Sequence, residues 1–421
     1  MNVFELDSAL IGKYEEFARS FTEIRADDLR QSVDGIYEDG RFWPEPLIGL
    51  NPQYARGMSI DEIVADGLVD PALAEIFAFG QPRQPIELFL HQQRALMKAA
   101  QGRNFIVTTG TGSGKSLCFF LPIIDRIVKA RRAGEPRRTR AIIIYPMNAL
   151  ANSQLEELEK FIGPSGLPYD LKPTFARYTG QEGEARRQQI RAECPDIILT
   201  NFMMLELLLT RQDEIDQGVI DNMRGLEFLV LDELHTYRGR QGADVAMLVR
   251  RVRERLGADG MTCIGTSATM ASGDEDVGRA AVSKVGSVLF GEAVTPEDVV
   301  TETLERRTTH TGDESALQRQ VAQLIASPVP ADPSQFKTDP LAVWIELNIG
   351  LDAGETLRRA KPQTMSDAVK ALAKFAGCEE AACRDALAGR LVAMSDIAEG
   401  HEQAFMAFKL HRFLSGAGHA A

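Results

Sequence analysis

The chain has 421 residues, of which 44% are hydrophobic and 25% charged, and its formal net charge at pH 7 is −13. That length leaves room for two or three domains at roughly 150 residues each, and that balance excludes disordered and fibrous classes. The acidic total excludes a uniformly basic coat for nucleic acid, while leaving open a local basic track along one groove.

Residues 1–83 mix helix-like patterns, at Leu10 to Ile24 and Ser59 to Ala65, with the breaks Trp43-Pro44-Glu45-Pro46 and Gly67. They are expected to form a mostly helical N-terminal domain. Residues 84–275 change rhythm to short β-rich runs, each closed by a polar or glycine turn and followed by a helical stretch. The runs are Asn104 to Val107, Ala141 to Tyr145, Thr174 to Tyr178, Asp196 to Leu199, Phe228 to Leu231 and Thr262 to Gly265. Near-continuous apolar strands alternating with helices predict an α/β domain, a parallel sheet with helices on both faces. In such sheets ligands bind at the carboxyl ends of the strands, where the polar motifs of this chain fall. Residues 276–421 return to helical patterns, at Ala316 to Ile325, Thr364 to Ala376 and Glu380 to Met394, with a loop expected at Ser327-Pro328-Val329-Pro330-Ala331-Asp332-Pro333.

Five cysteines, Cys118, Cys194, Cys263, Cys378 and Cys383, are scattered along the chain. An odd, dispersed set is unlike a disulfide framework, and the Cys378 and Cys383 pair has no second Cys or His pair to complete a metal site. The opening MNVFELDSALIGKYEEF has no basic region followed by an apolar stretch, and no run of about 18 apolar residues occurs. A cytoplasmic location is expected.

The strand Phe105-Ile106-Val107 leads directly into Thr109-Gly110-Thr111-Gly112-Ser113-Gly114-Lys115-Ser116, and a helical stretch from Leu117 follows. Glycines let backbone amides close around phosphates, and the helix N-terminus adds its positive dipole end. Lys115 can reach the β and γ oxygens, and Ser116 can ligate Mg²⁺. This order predicts ATP and Mg²⁺ as cofactors. About 120 residues later, Phe228-Leu229-Val230-Leu231 ends in Asp232 and Glu233. Asp232 can hold the Mg²⁺ shell and Glu233 can orient or deprotonate the attacking water.

With Leu234 and His235 these carboxylates spell DELH, which resembles motif II of the superfamily 2 DEAD/DEAH-box helicases; Ser267-Ala268-Thr269 resembles their motif III. That family commonly places a small residue other than glycine where Thr109 stands. The resemblance implies a RecA-like P-loop NTPase domain, and a coupling role for His235, Ser267, Ala268 and Thr269 between nucleotide site and nucleic-acid groove. It implies further that Gln92, in Leu88-Phe89-Leu90-His91-Gln92, reads an adenine edge. Tyr145-Pro146-Met147-Asn148-Ala149-Leu150, Tyr178-Thr179-Gly180-Gln181 and Leu199-Thr200-Asn201 stand in the places of motifs Ia, Ib and Ic. Pro146, Asn148, Thr179, Gly180, Thr200 and Asn201 thereby become candidate contacts to phosphates and sugars, which position a strand without reading its sequence.

The strings TTGTGSGKSLCF, YPMNALANSQ, DIILTNFMMLE and DELHTYRGRQGADVAML are most similar to one branch of that family, the bacterial mitomycin-repair and phage-defence helicases. The resemblance spans most of the chain, and it implies an ATP-dependent helicase or translocase acting on DNA with a single-stranded region. A nucleotide-gated module that binds DNA or a partner with little turnover of its own is the alternative. Two basic clusters, Lys129, Arg131, Arg132, Arg137, Arg138 and Arg140, and Arg250, Arg251, Arg253 and Arg255, are either solvated faces or part of a nucleic-acid track. The family's arginine motif Q-x-x-G-R-x-G-R is not found after residue 270. A second RecA-like domain, from the same longer protein or a separate chain, is therefore expected to complete the site.

Overall fold

The computed structural model describes residues 2–21, 24–38, 43–110, 112–268, 275–354, 356–396 and 404–413. It divides into two compact units, Tyr54–Thr303, and Met1–Gln53 together with Leu304–Ala421. The units do not follow the boundaries expected at 83 and 275. Within the second, Leu47–Leu50 pairs antiparallel with both Phe408–His411 and Gln363–Thr364. A strand pairing that closes a loop of about 360 residues leaves no local trace in a hydrophobic pattern, because it is specified by partners far along the chain.

In the Tyr54–Thr303 unit, seven strands among the described residues form a parallel sheet. They are β1 (Phe105–Thr108), β2 (Ala141–Tyr145), β3 (Phe175–Arg177), β4 (Ile197–Asn201), β5 (Phe228–Leu231), β6 (Thr262–Ser267) and β7 (Val299–Thr301), in spatial order β7-β1-β6-β5-β2-β4-β3. Six of them sit where the sequence pattern places them. The seventh, β7, falls in the stretch expected to be helical, and it pairs with β1 at the sheet edge. Three residues are too few to show a period of two.

Strand alternation distributes the apolar side chains to two cores. Phe105, Val107, Ile143, Leu199, Val230 and Ile264 face one way, against α1 (Leu90–Ala100), α2 (Leu117–Arg132) and α3 (Asn148–Ile162). Ile106, Ile142, Ile144, Ile198, Leu229 and Leu231 face the other. There they meet α4 (Glu184–Glu193), α5 (Phe202–Thr210), α6 (Glu214–Asn222), α7 (Gly239–Leu256) and α8 (Glu275–Phe290). Both faces are dry, so the strands read as continuous apolar runs. The carboxyl ends of β1, β2, β4, β5 and β6 then present their loops on one edge.

Close packing at β6 makes one glycine obligatory. A Cβ on Gly265 would lie 2.3 Å from Leu234 Cδ1 and 3.2 Å from Phe290 Cζ. Gly265→Ala is expected to destabilise this unit by about 1–3 kcal/mol through overpacking, measured as a lower denaturant midpoint with an unchanged slope.

The other unit has its own core, built on Trp344, Phe336, Leu341, Leu372 and Leu391. Inside it Arg390, 1% exposed, donates to Asp339 and to the Leu324 carbonyl. Among the described residues no helix is long and apolar enough to cross a membrane.

Candidate nucleotide site and nucleic-acid loops

The loop after β1 is shaped by its glycines and tied down by side-chain hydrogen bonds. Gly112 and Gly114 have φ of +78° and +67°, the left-handed region that glycine enters without strain. Thr109 and Ser113, both buried, share a hydroxyl–hydroxyl hydrogen bond of 2.6 Å. The Gly110 amide donates to Glu302 Oε2 at 2.8 Å. His91 Nε2 lies 2.9 Å from the Ser113 carbonyl. Thr111 lies outside the described residues.

Gln92 uses both ends of its carboxamide. Its carboxamide oxygen accepts from the Phe89 amide at 2.8 Å, and its amide nitrogen donates to the Gly114 carbonyl at 3.0 Å. Only 2% of the residue is exposed. In this arrangement Gln92 fastens the start of α1 to the phosphate loop.

Lys115 and the motif II carboxylates converge. The ammonium lies 3.9 Å from Glu233 Oε1 and donates, at 3.4 Å each, to the carbonyls of Thr109 and Ser267. These three elements, loop, β5 and β6, are adjacent because β6 lies between β1 and β5. Glu233 itself has φ +52°, a left-handed conformation rare for a residue with a side chain. Burial pushes the Asp232 carboxyl above the usual carboxylate range, offset in part by the hydroxyl of Thr266, while the Glu233 charge pushes the same way as burial.

The oxygens at this place fit Mg²⁺. Ser116 and Asp232 both influence the Glu157 carboxyl of α3, which the Ser116 hydroxyl lowers and the Asp232 charge raises. Burial raises Glu157 as well. No three His, Cys, Asp or Glu side chains among the described residues converge on one metal position. The hydroxyls of Tyr145 and Tyr237, both buried, have no hydrogen-bond partner among the described residues, and burial together with the Asp232 charge raises both.

His235 links motif II to motif III. Its Nδ1 lies 3.2 Å from Glu233 Oε2, 3.4 Å from Ser267 Oγ and 3.5 Å from the Ala268 amide. One nitrogen cannot donate to Glu233 and accept from Ala268 at once, so the two tautomers select different pairings. Thr269 lies outside the described residues.

The motif Ia, Ib and Ic loops are bonded to one another. Asn201 Nδ2 donates to Asn148 Oδ1 at 2.7 Å, joining the ends of β4 and β2. Thr200 Oγ1 donates to the Tyr178 carbonyl at 2.6 Å, joining β4 to the loop after β3. Thr179 donates its hydroxyl to Glu182 at 2.8 Å. Thr200 and Thr179 are 0% and 1% exposed, so their side chains build the platform that these loops form. Pro146, Asn148 and Asn201 are half-buried and Gly180 is exposed. Behind the platform Tyr178 donates to the fully buried Asp216, which Arg187 flanks at 3.3 Å.

Most members of the two basic clusters are paired within the fold. Arg131 pairs with Asp196, Arg132 with Asp70, and Arg138 and Arg140 with Glu227. Arg251 pairs with Glu206, Arg253 with Glu292, Arg250 caps the Ala246 carbonyl, and Arg255 donates to Gln217. These arginines brace neighbouring elements. Sequence reasoning missed Thr266, Glu302, Glu157 and Asp216, none of which carries a motif of its own.

A phosphate loop facing two carboxylates across an inserted strand, at the carboxyl edge of a parallel sheet, defines a P-loop nucleoside triphosphatase domain of RecA-like fold. Residues 89–277 match the family model described as DEAD/DEAH box helicase. It is 34% identical over 191 residues to the uncharacterized ATP-dependent helicase YprA of Bacillus subtilis, covering 45% of this chain and 24% of that protein. It is 26% identical over 340 residues to the Druantia protein DruE of Escherichia coli, covering 54% of this chain and 18% of that one. A solved structure of the DUF1998 helicase MrfA is similar with a TM-score of 0.45 and 26% identity, over 62% of this chain and 37% of that one. The chain thus spans about a quarter or less of the length of these curated relatives.

Proposed function

We propose that this chain is the ATP-binding part of an ATP-dependent DNA helicase or translocase of the cytoplasm, serving DNA repair or anti-phage defence. The observation that carries the proposal is the meeting of Lys115 with Glu233 at 3.9 Å, which sets a phosphate-binding cation against a water-activating carboxylate. In this function the amides of the loop from Thr109 to Ser116 hold phosphates, and Lys115 draws in the β and γ oxygens. Ser116 and Asp232 hold Mg²⁺, which when bound neutralises charge developing on the transferred phosphoryl group. Glu233 takes a proton from the attacking water. His235 and Ser267 carry the state of that site to the platform. Pro146, Asn148, Gly180 and Asn201 face the phosphates and sugars of a single strand. Gln92, which bonds the Phe89 amide and the Gly114 carbonyl, reads an adenine edge. A second RecA-like domain supplies the arginines that complete the site; such a residue is worth ~10³ to 10⁵ in turnover in comparable NTPases.

The test is ATP hydrolysis with and without a single-stranded DNA oligonucleotide. Stimulation by DNA is the expected result, and it excludes the alternative of a nucleotide-gated module with little turnover. Oligonucleotide affinity is expected to fall linearly in log–log form with salt, with a slope of about −0.7 per phosphate contact. Salt-independent binding would count against the platform as a backbone reader.

A further inference from the structure

One buried hydroxyl reaches both acidic residues of motif II. Thr266, the residue before Ser267 near the end of β6, is 0% exposed. Its Oγ1 accepts the Glu233 backbone N–H at 3.1 Å and donates to Asp232 Oδ1. A hydroxyl has one proton to give, and the amide can only donate, so that proton is committed to Asp232. Strand register produces the meeting. Leu231 of β5 lies opposite Gly265 of β6, so the next residues along, Asp232 and Thr266, face each other.

We propose that Thr266 is a positioning residue for ATP hydrolysis, an inference that rests on the function proposed above. It acts on both carboxylates at once. Its proton occupies Oδ1 of Asp232, so the other carboxylate oxygen is the one that would be available to hold Mg²⁺. Its lone pair holds the Glu233 amide while Glu233 stands at φ +52°, a conformation that persists only when its surroundings enforce it. That backbone geometry launches the Glu233 side chain toward Lys115 and His235, where its carboxylate oxygens are found at 3.9 and 3.2 Å. Valine has the shape of threonine without the hydroxyl, and serine has the hydroxyl without the methyl. The pair therefore separates positioning from packing.

The experiment measures steady-state hydrolysis of MgATP by wild type, Thr266→Val and Thr266→Ser, with a saturating single-stranded oligonucleotide, and the affinity of each for ATP. Thr266→Val is expected to lower kcat by about 10- to 100-fold, the usual cost of losing a group that orients a metal-bound residue. The same variant should require more Mg²⁺ for half-maximal rate and should keep ATP affinity within about threefold of wild type. Thr266→Ser is expected to restore most of kcat. An unchanged rate in Thr266→Val overturns the proposal, as does equal impairment of Thr266→Ser, which would assign the effect to the methyl group. Loss of ATP affinity in step with kcat overturns it too, since that marks general damage to the loop. Absence of hydrolysis in wild type would remove the ATPase function and this inference with it, a result distinct from all of these.

Discussion

Glu233→Gln is expected to abolish nearly all turnover, lowering kcat for ATP by about 10² to 10⁴-fold, the range for removing a general base from a transition state. Glutamine keeps the length and planarity of the side chain but cannot accept a proton from water. The structure gives reason to expect that little else changes. Glu233 is held by its backbone, through the Thr266 hydroxyl, and its side chain lies against Lys115 and His235 without bonding the phosphate loop amides. ATP affinity should therefore stay within a few-fold of wild type, so that kcat falls while binding does not. Full activity in this variant would show that another group activates the water, and Glu157, whose carboxyl lies beside Ser116, would be the next to test.

Lys115→Ala is expected to act earlier, on binding. A hydrogen bond to a charged group is worth about 1.5–3 kcal/mol, so loss of the ammonium predicts a fall in ATP affinity on the order of 10- to 100-fold, read by calorimetric titration. Turnover at saturating ATP should fall as well, because the same cation faces the charge that develops on the transferred group; removal of one such donor costs about 10² to 10³. Lys115→Arg is not expected to rescue. The pocket accommodates a point charge that donates to the carbonyls of Thr109 and Ser267, and a planar guanidinium does not reproduce that geometry. Unchanged affinity in Lys115→Ala would remove the loop as the phosphate site. Together the two variants divide binding from chemistry within one cleft.

How much of this was legible depends on the distance over which each feature is specified. Strand, loop and helix around Thr109 to Ser116 are contiguous, and local backbone requirements of phosphate binding constrain neighbouring residues, so the loop is readable as a string. The same holds for Asp232 to His235 after β5 and for Ser267 after β6. Thr179 and Thr200 show the opposite case. Their positions in motif-like strings were readable, but their burial was not. Gln92 was found by position, while its bonds to Phe89 and Gly114 were not legible. The arginine clusters looked like charge runs because their acidic partners lie elsewhere: Glu227 is 87 residues from Arg140, and Glu206 is 45 from Arg251.

The residues proposed to do chemistry in this chain are legible in its sequence alone: Lys115 and Ser116 after a strand, Asp232 and Glu233 after another, in an order that allows few interpretations. Tertiary structure alone decided what holds them. Thr266 meets Asp232 because β6 is inserted between β1 and β5 in a particular register, and Glu302 reaches Gly110 because β7 closes the edge beside β1. The strand Leu47–Leu50 finds Phe408–His411 across nearly the whole chain. The physical reason is that a motif is a short stretch whose backbone must take one shape. A hydrogen bond between strands depends on which surfaces pack together, and that is settled by the summed burial of residues far apart.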